Sequence, residues 1–140
     1  MGASLRILKS RGIAVLRYWD HFTVQQGEDT LAAYHAHPDA APGQKHLVDF
    51  SGVTSFDPEY VGVLALQAKT ADIVLPEGFE TILVMYAPNP TGLDMAVMVR
   101  KSWEHVPAVI PLIAETKQQA IEYLGQKEND LSLFFDTEDI

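Results

Sequence analysis

The six-residue run Thr81–Tyr86 (TILVMY) constrains this chain more than any other segment. A strand with one solvated face alternates apolar and polar residues. An almost wholly apolar run of this length instead predicts a central strand covered on both faces. It is far shorter than the roughly 18 residues of a membrane span. Turn formers bound it, with Pro76, Glu77 and Gly78 on one side and Pro88, Asn89 and Pro90 on the other. A strand covered twice needs helices around its sheet, and the flanking segments supply the pattern.

Residues 5–8 and 12–19 (GIAVLRYW) predict two strands joined by a link short enough for a hairpin. Over 23–35 the spacing of Val24, Leu31 and Tyr34 turns helical, although Gly27 weakens the early part. The stretch from His37 to Gly43 contains Pro38, Pro42 and Gly43 and breaks the chain. Residues 45–50 (KHLVDF) predict a short strand, and 51–56 a loop. Asp57, Pro58 and Glu59 suit a helix start as N-cap, first helical residue and dipole partner. Val61, Leu64, Ala68, Ala71 and Leu75 then form one helical stripe, widened by Val63, Leu66 and Ile73. So apolar a helix over 57–75 is either deeply packed or a contact between two copies of the chain.

Asn89 and Pro90 open another helix, with Leu93, Ala96, Val97 and Trp103 on its inner face. Residues 106–113 predict a fifth strand. Pro107 and Pro111 cannot donate to a ladder, so this strand belongs at an edge. Thr116 and Gln119 have capping-box spacing ahead of Ala120, Ile121 and Leu124, and Gly125 closes that helix. The order β-β-α-β-α-β-α-β-α predicts an α/β fold: a mixed, mostly parallel five-stranded sheet with about four helices. Residues 1–125 are expected to form one domain. Residues 126–140 are expected to form an acidic C-terminal tail with an apolar patch at Leu131, Leu133, Phe134 and Phe135.

Composition narrows the function. The chain has 140 residues and a net charge of -9, which argues against general nucleic-acid binding. It has no cysteine, which removes disulfides, thiolate metal sites and cysteine nucleophiles and suits a reducing, cytoplasmic setting. No stretch has the length of a membrane span. Charge is uneven: Arg6, Lys9, Arg11 and Arg17 lie near the start, while acids crowd the last fifteen residues. The two ends are able to attract each other, although two solvated faces explain the pattern as well.

The segment Val48-Asp49-Phe50-Ser51-Gly52-Val53-Thr54-Ser55-Phe56-Asp57, with its preceding strand and following apolar helix, resembles the STAS domains. These are the sulfate-transporter and anti-sigma-factor-antagonist modules of SpoIIAA-like fold. Val48, Asp49, Ser51, Gly52, Val53, Asp57 and Leu64 carry the likeness, which extends over roughly residues 12–125 and is closer to small stand-alone bacterial members. It implies a regulatory protein-interaction module that is not an enzyme. In the switchable antagonists the aspartate is followed by serines, one of which a kinase phosphorylates. Here Asp57 is followed by Pro58 and Glu59, so no hydroxyl stands at that place. A carboxylate such as Glu59 lacks the charge and three oxygens of a phosphate.

The resemblance directs partner binding to Ser51, Gly52, Ser55, Asp57, Glu59 and Tyr60, against the plainer roles of capping and turn formation. The partner is a protein of unspecified identity, and the 57–75 helix is expected to pair two copies. An alternative is a small-molecule or lipid site in an apolar crevice near Tyr18, Trp19, Asn89 and Thr91. Its basis is the aromatic cluster of Tyr18, Trp19 and Phe22 together with the crevice expected at strand ends. No cofactor or metal is expected. His35 and His37 are two apart and do not share a helix face, so with Asp39 they fall short of a zinc set. His21, His46 and His105 stand isolated in sequence, and an ordinary polar role is expected of each. No serine elbow, P-loop, dinucleotide fingerprint or metalloprotease helix is present.

Overall fold

The computed structural model describes residues 2–57, 78–104, 106–127 and 131–135. The helix predicted over 57–75, with Glu59, Tyr60 and the expected contact between two copies, lies outside these residues, as does His105.

Five strands form one sheet: β1 (Gly2–Leu8), β2 (Ile13–Phe22), β3 (Lys45–Phe56), β4 (Thr81–Tyr86) and β5 (Val109–Ala114). Their order in space is their order in sequence. β1 and β2 run antiparallel, and every later pair is parallel. Lys9–Arg11 make a short 3-10 turn between β1 and β2, which Gly12 ends at φ 65°, a left-handed conformation that favours glycine. The predicted mixed, mostly parallel sheet is therefore present, with the proline-bearing strand at its edge.

Four α-helices are described: α1 (Val24–Ala36), α2 (Pro90–Ser102), α3 (Lys117–Tyr123) and α4 (Leu131–Phe135). Thr23 caps α1 in a full capping box with Gln26. Asn89 caps α2, with Pro90 at its first position. At α3 only half of the predicted box forms. The Thr116 hydroxyl accepts from the Gln119 N–H, but the Gln119 side chain accepts from Glu115 instead of Thr116.

Alternation along the strands divides the interior in two. Ile13, Val15, Leu47, Val84 and Tyr86 face α3 and α4. Val48, Met85 and Tyr18 face the opposite way, with α2's Met95 and Ala96, and Tyr34 of α1 packs with Ala14 on that same face. Both faces of β4 are thus covered, as its unbroken apolar run requires. Phe134 is 2% exposed and Phe135 is likewise buried, so the apolar patch near the C-terminus packs into the layer that α3 covers.

One boundary differs from the sequence reading. Residues 51–56 are not a loop but the second half of β3, paired with β2. Between Arg17–Asp49 and Trp19–Gly52 the register slips by one residue, and between Asp20–Val53 and His21–Ser55 it slips again. Two extra residues in β3 destroy the period of two by which a strand is recognised. Asp20 adopts a left-handed φ of 63° at the second slip, a conformation aspartate tolerates better than most residues. Gly52 is needed for close approach and not for a turn. A Cβ there would stand 2.8 Å from the Trp19 Cβ and 3.3 Å from the Tyr18 carbonyl oxygen.

Candidate functional site

The two slips in β3 decide what stands at the carboxyl ends of β2 and β3. They place Ser55 opposite His21 and bring Asp57 to the same ring. His21 Nδ1 lies 2.7 Å from the Ser55 hydroxyl, and its Nε2 lies 3.1 Å from an Asp57 carboxylate oxygen. The His21 and Asp57 side chains are 44% and 49% exposed. This is an open polar cluster held by two adjacent strands. In sequence His21 stands apart from Ser55 and Asp57, because 34 residues separate it from Ser55 and only strand pairing joins them.

Ser51 and Gly52 lie further back on β3 and are half-buried. The Ser51 carbonyl accepts from the Asn89 side-chain amide at 2.9 Å, and the Ser51 N–H donates to Asp49 at 2.8 Å. Asn89 accepts in turn from the Gly92 N–H at 2.9 Å. Both ends of the Asn89 side chain are therefore engaged in fixing the start of α2 to β3. Asp49 is 4% exposed, with the Arg17 Nε 3.7 Å from its second oxygen.

The four residues named for a crevice do not meet. Tyr18 lies on the α1–α2 face of the sheet, where its ring meets Phe22 edge-on at 4.9 Å. Its hydroxyl bonds Thr30, and burial pushes its pKa up to about 12. Trp19 packs elsewhere, beside Gly2 and with the Arg17 guanidinium 5.9 Å from its ring. Asn89 serves as a cap, and Thr91 is half-buried in the first turn of α2.

A cavity of about 120 Å³ does open on the α1–α2 face, and of those four residues only Tyr18 lines it. Its other walls are mostly apolar, with Val48 and Met85 from the sheet, Leu31 from α1, and Met98 and Val99 from α2. His46 and Trp103 also line it. Burial alone pushes the His46 imidazole down to about 4, so the ring is neutral near pH 7. Of this site the sequence pointed to Tyr18 alone, because its walls come from three strands and two helices.

Among the described residues no group of three or more histidines and acids is placed to hold a metal. No described helix is long and apolar enough to cross a membrane.

The chain is similar in fold to an anti-sigma-factor antagonist. The solved structure of SpoIIAA in its unphosphorylated form matches over 89% of this chain and 98% of its own, at 18% identity and a TM-score of 0.49. No protein-family model matches the chain, and no curated protein sequence matches it.

Proposed function

We propose that this chain is a non-enzymatic regulatory module that captures a protein partner at the carboxyl ends of β2 and β3. The observation that carries this reading is the His21–Ser55–Asp57 cluster, three polar side chains ordered against one another and open to solvent. Pre-ordered side chains on strands lose little entropy on binding, which favours recognition. The same exposure disfavours acyl transfer, which works in a site shielded from water. The STAS-like sequence around Asp57 supports the reading and adds Ser51, Gly52, Glu59 and Tyr60 to the proposed surface.

Affinity capture from a lysate of the source organism tests it, with wild-type protein beside Asp57→Lys, His21→Ala and a Glu104→Lys control. Asp57→Lys and His21→Ala are expected to retain at most a tenth of the captured partner, with melting temperatures close to wild type. The control should capture as wild type does. A partner that both cluster variants bind with unchanged affinity would place the binding surface elsewhere.

A further inference from the structure

Two residues that line the apolar cavity between the sheet and helices α1 and α2 each carry an unanswered polar atom. His46 Nε2 and Trp103 Nε1 are both buried, and neither has a hydrogen-bond partner. The two residues are 8% and 3% exposed. Buried polar atoms are almost always satisfied, because leaving one unpaired forfeits its hydration for nothing. The other polar groups around this cavity obey that rule. The Tyr18 hydroxyl bonds Thr30, and the Tyr34 hydroxyl bonds Gln44.

Topology puts the two residues at one end of the cavity. His46 is the second residue of β3, paired with Ala14 and Leu83 near the starts of their strands. Helix α2 begins beside Phe50, where Gly92 abuts the Phe50 carbonyl, and runs back along the sheet. Its last turn, followed by Trp103, therefore returns to the amino ends of the strands. The far end, by Tyr18, Phe22 and Phe50, is apolar and aromatic.

We propose that this cavity binds a small, neutral, mainly apolar molecule whose single oxygen takes hydrogen bonds from Trp103 and His46. An indole N–H only donates, so the occupant must present an acceptor. A carbonyl oxygen with two lone pairs answers both nitrogens when His46 carries its proton on Nε2. A hydroxyl answers them with the other tautomer. A carboxylate is excluded by cost, since no cation lines the cavity among the described residues and an unpaired buried charge is expensive. The volume sets the size. A cavity of about 150 Å³ with apolar walls holds a benzene ring, and this one is about 120 Å³ and partly open. A single aromatic ring or a short branched chain fits, and a longer tail would leave by the open side. The site is separate from the His21–Ser55–Asp57 cluster, so it stands or falls independently of the proposed partner surface.

Acetophenone, ethylbenzene and benzoate test the proposal, because they share a ring and differ in the oxygen. Proton–nitrogen correlation spectra of ¹⁵N-labelled protein report each indole N–H, and a Trp19→Phe variant assigns the two signals. Acetophenone is expected to move the Trp103 indole proton downfield and leave that of Trp19 in place. Ethylbenzene should bind without that downfield shift, and benzoate should bind at least tenfold more weakly than acetophenone. Trp103→Phe should lower acetophenone affinity about tenfold and change ethylbenzene affinity less than twofold, in keeping with one buried hydrogen bond. Leu31→Phe fills the cavity and should abolish both, so the site remains testable should Trp103→Phe fail to fold. Failure of all three probes to bind would overturn the proposal, and so would an unmoved Trp103 signal at saturating acetophenone. Benzoate binding as tightly as acetophenone would overturn it too.

Discussion

His46 shows how little a residue's type says about its role. In sequence it is one histidine beside a lysine at the start of a strand. In the structure it is enclosed beneath Tyr34, whose ring centroid is 5.1 Å from its own. Folded His46 keeps its neutral form down to about pH 4, whereas a free histidine takes up a proton near 6.5. Between those values the unfolded chain binds more protons than the folded one, so stability falls as pH drops from 6.5 to 4 and this loss levels off below 4. At roughly 1.4 kcal/mol per pH unit, the loss attributable to His46 is about 3 kcal/mol. His46→Leu should remove that slope while remaining close to wild type at pH 7, where it replaces a ring whose buried Nε2 is unpaired with an apolar side chain. Urea unfolding of both proteins at intervals from pH 7 to 4.5 measures the difference, and parallel pH curves would contradict this account. Ser55 and Asp57 could be named from the sequence because residues 48–57 resemble the STAS pattern. His21 could not, because its partners come from another strand and depend on two slips of register.

Helix α4 shows how an element is held when its own length gives it no stability. Five residues cannot sustain a helix in water. This one is fixed by tertiary contact. Phe134 and Phe135 enter the layer formed by Ile13, Val15 and Leu47, and Phe135 meets Tyr86 at 5.1 Å, ring edge to face. The Arg6 guanidinium donates to the Leu133 carbonyl, and the Arg11 guanidinium donates to the Gln126 side chain at 2.8 Å. The basic start and the C-terminal region do meet, and these contacts run through a carbonyl and an amide. Phe134→Ala should lower stability by about 3–5 kcal/mol, as for other large aromatic truncations in cores. Phe79→Ala, at a position 45% exposed, should change it by less than about 0.5 kcal/mol. Urea midpoints with unchanged slopes would confirm the pair, and equal effects at the two positions would contradict it. The period of the apolar residues revealed most elements here. It failed at β3, where two bulges and Gly52 interrupt the alternation, and it could not say that α4 belongs to the core.

At the scale of the whole molecule, one sheet separates two apolar layers. Phe134 lies in the layer under α3 and α4, and Met95 in the layer under α1 and α2. They share no neighbours across the sheet, so the losses from Phe134→Ala and Met95→Ala should add within about 0.5 kcal/mol in the double variant. A larger coupling in urea unfolding would show that the layers communicate. The sequence by itself determined the class of fold, the order of the five strands, three of the described helices, the edge position of the fifth strand and the absence of cysteine chemistry. These follow from local rules: hydrophobic period, the missing N–H of proline, capping side chains and turn glycines. Tertiary structure alone decided that His21, Ser55 and Asp57 form one cluster and that His46 and Trp103 line one cavity. Each of those outcomes depends on register and on which helix packs over which strands. Both are set by packing between residues distant in the chain, and no local pattern records them.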